Sequence, residues 1–555
     1  MTLHARTLLL PTLVLTCTLS TPAIATEVVF TGTGTTAWGD TANWSTGSLP
    51  SAANTAVFAA EPGDVTVNLG EARTVLGLRF TNPGTTILQK GGGSGSTTIT
   101  IGAAGVTVEE GAGRVEIGVD VANPNNQRVQ PLLTANQTWT NNGTGELVRS
   151  AGGGGMNLNA NTLTFDGTGN IRIDSSIIGI GGSIIKNGTG TLFLPRTNNQ
   201  LTGGITLNSG TLWVDHLEAL GGTGGTGLVT INGGNLSSGT GTLNLANTLL
   251  LNADFGFVGN RNLNFSSGAI TLAGNRTITV ANVGQARQLA FNSPITDNGM
   301  GYGITKAGPH YLALGGVNTY TGPTHVAEGV LFINSNPLAS TSAVTVAAAG
   351  TLAGSGSISS PVTIDGAVAA GSFEDPAATL TISGPITLNP GARVITTLSG
   401  QSGSLLAVTG TLSLPASSVI EVRTSGLQAT SGRVTIIQAG TLIGDATALP
   451  LILPAGITGS ISQQGNEVFL DFVRHPSAPL LSSERIDQTF RVLAPSVVGQ
   501  DYQLQTSVDS MATWQDQGTP VSGDGNPLEF LIDLSAVTSE TLLIRLLVTF
   551  TPPPA

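Results

Sequence analysis

One module occurs twice in this chain, as SIIKNGTGTLFLPRTNNQLTGGITLNSGTLWV from Ser183 to Val214 and as GITKAGPHYLALGGVNTYTGPTHVAEGVLFI from Gly303 to Ile333. Self-similarity on this scale marks a fold in which each unit covers its apolar face only by stacking on the next. The matches are position by position. Lys186 aligns with Lys306, Gly188 with Gly308, Leu192 and Leu194 with Leu312 and Leu314, and Asn198 with Asn318. One further residue in the first copy then brings Thr202-Gly203 onto Thr321-Gly322, Gly210 onto Gly329, and Leu212-Trp213-Val214 onto Leu331-Phe332-Ile333. Inside each copy, runs such as Leu192-Phe193-Leu194 alternate with period two and are separated by Gly, Asn and Pro. That pattern predicts short strands joined by tight corners.

Looser versions fill the remainder, among them STTITIGAAGVTVEEGAGRVEIGVDV from Ser96, TLTFDGTGNIRID from Thr162 and GAITLAGNRTITV from Gly268. Charged residues are 10% of the chain, against an ordinary share of ~25%, and 76 of its 555 residues are Gly, which excludes a coiled coil or helical bundle. With 40% hydrophobic residues it is no solvated disordered chain either. The expected class is all-β, a right-handed parallel β-helix (β-solenoid). In such a coil an inward Val, Ile or Leu lies on its equivalent one turn away, and Gly takes the corners where φ is positive. At roughly 20–25 residues per coil, about 20 coils are expected. Each end must be covered, because an open terminal coil is an exposed strand edge.

Residues 1–25 carry Arg6, an apolar run from Leu8 to Leu19, and Ala23-Ile24-Ala25 in the pattern of a signal-peptide cleavage site, so the mature chain is expected to start at Thr26. Removing that segment takes away the one cysteine, Cys17, and leaves a charge of 20 − 33 = −13. A chain so poor in cations lacks the surface that phosphate neutralisation needs, so nucleic acid is excluded as a partner. No later apolar run reaches the ~20 residues of a transmembrane span. The expected organisation is therefore a signal peptide at 1–25, the β-helix at 26–473, a linker at 474–483 marked by Pro476 and Pro479, and a small β-sandwich-like module at 484–555.

The repeats resemble the autotransporter-associated β-strand repeat of Gram-negative surface proteins. The residues that carry the likeness in the second copy are Lys306, Gly308, Leu312, Leu314, Asn318, Tyr320, Gly322, Thr324, Val326, Gly329 and Leu331. The opening TTAWGDTANWSTGSLPSAANTAVF, with Trp38, Trp44 and Pro50, resembles the N-terminal segment of such proteins, and GTLAGSGSISSPVTIDGAVAAGS from Gly350 resembles their closing coils. YQLQTSVDSMATW from Tyr502 resembles a small C-terminal module of exported proteins. The resemblance implies an exported passenger-type protein. Aromatics are 5% of the chain and the tail ends in Pro-Pro-Pro-Ala, so no C-terminal translocator barrel is expected here, and export would use separate machinery.

The motifs of this resemblance are structural and name no reaction. A GxGxxG at Gly222–Gly227 is followed by LVTINGGNL, which reads as strand where a dinucleotide site needs a helix. His216, His310, His325 and His475 have no zinc-site spacing, and no catalytic residue, metal or cofactor is assigned. A polysaccharide-active enzyme, lyase or glycosidase, would need converging carboxylates, for which the candidates are Glu109-Glu110 with Glu116, Asp166 with Asp174, Asp215 with Glu218, and Glu374-Asp375. Glycan binding would need exposed aromatic platforms, for which the candidates are Trp38, Trp44, Trp139 and Trp213. The expected function is that of an exported structural or adhesive protein, at the cell surface or extracellular, whose polar repeat surface meets extracellular glycans or surface and matrix components.

Overall fold

The computed structural model describes residues 26–475 and 482–550 apart from short stretches: 33–34, 60–62, 93–94, 119–127, 151–154, 196–198, 223–225, 240, 282–287, 335–342, 373, 487–488, 495–499, 508–512, 514, 524–525, 527 and 534–542. Ala23, Ala25, Pro476, Pro479 and Asn198 lie outside the described residues. Strands make up 58% of the described residues, and no α-helix occurs among them. No helix there is long and apolar enough to cross a membrane. The chain divides into two compact units, Met1–Val368 with Leu380–Asn389, and Ala369–Thr379 with Pro390–Ala555.

The first unit is a parallel β-solenoid, as the alternating runs predict, and the whole parallel stretch has about 15 turns. Its strands stack in columns. One column runs through Gln137–Asn141, Thr162–Asp166, Ser183–Lys186, Ile205–Leu207, Leu228–Ile231, Thr248–Leu251, Ile270–Leu272 and Ile295–Thr296. A second runs through Leu147–Arg149, Ile171–Ile173, Thr191–Leu194, Thr211–Val214, Asn235–Ser238, Phe255–Phe257, Arg276–Val280 and Ile304–Ala307. A third joins Leu243–Leu245, Leu263–Phe265, Gln288–Phe291 and Tyr311–Leu314. The long strand Thr324–Ile333 turns through a corner and continues the second and third columns in succession.

Like lies on like inside the coil. Ile184, Ile205, Val229, Leu249, Ile270 and Ile295 form one inward file, in register turn after turn and all buried. Each such side chain contributes roughly 1.5–3 kcal/mol by leaving water. Near the repeats a turn is short, with Leu192 and Leu212 twenty residues apart in register. Toward the N-terminus it lengthens, since Ile117 pairs with Leu88 and Trp139 with Val106. Those longer turns consume chain, which is why about 15 turns form rather than the 20 expected from a uniform period.

The N-terminal edge is closed by the Trp-containing segment. Ser45 N donates to Val29 O at 2.8 Å and Thr31 N to Asn43 O at 2.7 Å, so residues 43–45 pair antiparallel with the free edge of the strand Thr26–Phe30. Residues 36–38 pair parallel with the edge of Val65–Asn68, through Trp38 N to Asn68 O at 2.8 Å and Asn68 N to Thr36 O at 2.7 Å. Beneath them Trp38, Trp44, Phe30 and Phe58 pack with centroids 4.8–6.1 Å apart, and Phe58 stacks on Phe80 at 5.0 Å. The cap thus satisfies two strand edges and plugs the apolar end of the coil.

In the second unit Arg393–Gly400 pairs parallel with Val419–Leu427, and Leu405–Ser413 with Ser431–Ile443. The pairing then turns antiparallel, with Glu467–Arg474 between Ser431–Ile443 and Ile457–Gln464. Beyond it, two three-stranded antiparallel sheets form a sandwich: Ser482–Ile486, Thr489–Ala494 and Leu528–Asp533 in one, Gln515–Ser522, Gln500–Ser507 and Leu543–Phe550 in the other. Val492, Ala494, Phe530 and Ile532 of the first sheet pack on Tyr502, Leu504, Ile544 and Leu546 of the second. This is the small sandwich module that the alternation predicts.

Candidate binding surface

The lysine shared by the two repeat copies points inward. Lys186 and Lys306 are 3% and 0% exposed, each in register with apolar side chains on both neighbouring turns: Phe165 and Leu207 for the first, Ile278 and Val326 for the second. The Lys306 ammonium donates to Ala307 O at 2.8 Å, Gly308 O at 2.6 Å and Glu328 O at 3.0 Å. Lys186 does the same to Asn187 O, to Gly188 O at 3.0 Å and to Ser209 O at 3.4 Å. Two of those carbonyls belong to the lysine's own corner and the third to the corner one turn later, so the ammonium staples successive turns where the backbone leaves the ladder. Burial lowers the pKa of both lysines to about 8, against the opposing pull of Asp166 on Lys186 and Glu328 on Lys306.

The corner glycines have a steric reason. Gly188 and Gly308 have φ of +63° and +78°, and a Cβ on Gly188 would lie 2.2 Å from Gly167 O. Gly210 and Gly329, at +71° and +68°, would meet Gly188 O at 2.5 Å and Gly308 O at 2.4 Å. No side chain fits there.

Asparagines fill two roles. Asn199 Oδ1 accepts from Ile177 N at 2.8 Å while its Nδ2 donates to Ala219 O at 2.8 Å, and Asn318 Oδ1 accepts from Ile295 N at 3.2 Å. The counterpart of Asn318 is therefore Asn199, not Asn198; the extra residue of the first copy precedes the asparagine. Outside, Asn187, Asn208, Asn232 and Asn252 form a ladder in which each later amide donates to the one before, at 2.7, 2.8 and 2.9 Å. That ladder was not read from the sequence, although an Asn directly after each of the four strands from Ser183–Lys186 to Thr248–Leu251 is its signal.

The outward positions of the second column carry the chemistry. In register they read Glu116, Val148, Arg172, Phe193, Trp213 and Ser237. The Arg172 guanidinium lies 4.4 Å from the centroid of Phe193, and the Phe193 and Trp213 rings are 5.4 Å apart. Trp213 occupies the space where a side chain on Gly239 would stand, since a Cβ there would be 2.0 Å from its Cζ2. Arg172 also pairs with Glu146 at 3.2 Å and Asp174 at 3.9 Å, and Arg114 with Glu116 at 3.3 Å and Glu146 at 3.6 Å. In the second repeat an outward pair recurs as Tyr311 and Phe332, 5.6 Å apart.

Of the four candidate platforms, Trp38, Trp44 and Trp139 are buried, and only Trp213 is on the surface. The candidate carboxylates do not face one another as free pairs; Glu116 and Asp174 join Glu146 in the Arg114 and Arg172 network. Glu109 is held by Arg79 at 2.8 Å, and Glu116 accepts from Ser150 beside Arg114. Asp166 closes its own turn on Gly167 N at 2.7 Å, and Asp375 accepts from Ala377 N at 3.3 Å within a loop. Glu218 N donates to His216 Nδ1 at 3.3 Å in a turn next to Asp215. No group of three His, Cys, Asp or Glu side chains suited to a metal occurs among the described residues. Strand Leu228–Ile231 follows the Gly222–Gly227 stretch, as its sequence predicts.

Comparison with known proteins agrees with the geometry. Residues 184–214 and 304–331 match the family model of the passenger-associated-transport-repeat. Over 243 residues the chain is 30% identical to the Adhesin BmaC autotransporter of Brucella suis biovar 1 (strain 1330), a stretch that is 43% of this chain and 6% of that protein. The chain thus spans only a small fraction of the relative it matches. Both matched segments are the lysine-stapled modules, so the chain carries two copies of a repeat similar to that of autotransporter passengers.

Proposed function

We propose that this protein is an adhesive passenger, exported by an N-terminal signal peptide ending at Ala23-Ile24-Ala25 and displayed at or beyond the outer surface of a Gram-negative cell. Its solenoid presents a polar repeat surface that touches surface or matrix components through many weak contacts. Multiplicity supplies the strength of such contacts, because each one after the first forms at high effective concentration. The observation that carries the reading is the joint one of a lysine-stapled solenoid with an outward Asn ladder and a 30% likeness to an autotransporter adhesin. The carboxylates in arginine pairs and turns give no support to the lyase or glycosidase alternative, whose acid–base pair must face one substrate.

The test is attachment. Cells lacking the gene lose binding to their natural substratum, and the purified full chain added in solution blocks binding of wild-type cells. Unchanged attachment in the deletion strain overturns the reading.

A further inference from the structure

The second column's outward file breaks the polar surface at one place. The Asn ladder lines one edge of the coil with amides, whereas Phe193 and Trp213 present two half-buried rings on adjacent turns. Exterior packing explains one side of Trp213, which fills the space over Gly239. It does not explain why a large indole stands outside a coil whose core is already closed.

We propose that Phe193 and Trp213, flanked by the Arg172–Glu146 ion pair, form a subsite that stacks a neutral pyranose ring. This rests on the adhesive reading and names the class of ligand at one point of that surface. Three observations converge. Adjacent turns hold the two rings 5.4 Å apart and inclined at 54°, an angled pair that can seat the C–H face of one sugar ring. Their mounting is rigid, because Arg172 of the preceding turn packs over the Phe193 ring and both rings sit on strands in register. Hydrogen-bonding groups stand at the edge, with Glu146 an acceptor and the Arg172 guanidinium a donor for hydroxyls.

The local charge decides between neutral and acidic sugars. Arg114, Arg172 and the buried Arg149 stand against Glu116, Glu146 and Asp174, three cations against three anions already engaged with one another. A uronic or sialic carboxylate would find no spare cation there, whereas a neutral ring needs none. The second repeat sharpens the point, because it keeps an aromatic pair in Tyr311 and Phe332 while its counterpart of Phe193 is Ala313.

The full chain is titrated by calorimetry with cellohexaose, mannohexaose and, as the acidic probe, hexagalacturonate. At least one neutral hexasaccharide binds, and hexagalacturonate binds at least tenfold more weakly. Trp213→Ala weakens neutral binding at least tenfold, whereas Trp213→Phe, the residue type of the second repeat, keeps it within about threefold. Arg172→Gln lowers it by a smaller factor, which guards against a Trp213→Ala chain that fails to fold. Absence of neutral binding, preference for the acidic probe, or full binding by folded Trp213→Ala overturns the subsite. Attachment of wild-type cells in the face of that result would leave the adhesive reading standing, so the two failures are told apart.

Discussion

The two repeat copies have the same residues at the same local places, yet they stand in different columns. Ser183–Lys186 belongs to the first column, paired with Thr162–Asp166 and Ile205–Leu207, whereas Ile304–Ala307 belongs to the second, paired with Arg276–Val280 and Thr324–Ile333. Between them the coil has advanced by whole turns plus one strand. Each copy nevertheless forms the same lysine staple, the same positive-φ glycines and the same buried asparagine cap. The module therefore specifies a corner and its two flanking strands, not a particular face. A strand in any column has a parallel neighbour on each side and the same apolar interior, so a one-strand phase shift costs the main chain nothing. Its outward consequence is large, because Phe193 and Trp213 of one copy and Tyr311 and Phe332 of the other are displayed on different columns.

If the corner is the unit, equivalent substitutions must hurt equally in both copies. Lys186→Ala and Lys306→Ala each leave three corner carbonyls without their donor, and each lowers local stability by about 3 kcal/mol. Hydrogen exchange at the amides of the flanking turns reads this locally, since a long solenoid opens in parts. A loss in one copy only would show that the columns are not equivalent. Gly210→Ala and Gly329→Ala come next, at about 2 kcal/mol each, from a Cβ forced into left-handed backbone against a carbonyl. Asn199→Ala and Asn318→Ala follow at about 1–2 kcal/mol, by exposing Ile177 N and Ile295 N to no acceptor.

The same two lysines make stability depend on pH. Both lysines have folded pKa values near 8 and an unfolded value near 10.5, so between these the unfolded chain binds more protons. Stability accordingly rises as pH goes from about 8 to about 10.5, and is lowest, with both ammonium groups charged and buried, below 8. A urea midpoint measured at pH 7 and at pH 10 checks the sign. In the double variant Lys186→Met/Lys306→Met the rise is flattened.

Much of this was legible. Alternation and corner glycines gave strands and turns, and the self-match located both staples before any geometry. The sequence could not say that Lys186 and Lys306 point inward, because a lysine between apolar residues reads equally well as a solvated strand position. The doublet Asn198-Asn199 hid which asparagine is the cap: either placement of the one-residue insertion aligns it. Trp38, Trp44 and Trp139 read as platforms because indole is amphipathic, and only packing shows two of them plugging the N-terminal coil and the third in the core. Carboxylate spacing along the chain was uninformative, since neighbours in a solenoid are some twenty residues apart.

The one-strand phase shift is tested most directly by disulfide trapping. Cys17 is the chain's single cysteine, so pairs placed in a Cys17→Ser background are uncontested. Thr277 and Thr305 are in register across the second column, whereas Thr271 lies in the first. Thr277→Cys with Thr305→Cys forms a disulfide in the folded chain, and Thr271→Cys with Thr305→Cys does not. The reverse pattern would place Lys306 in the same column as Lys186 and would contradict the account.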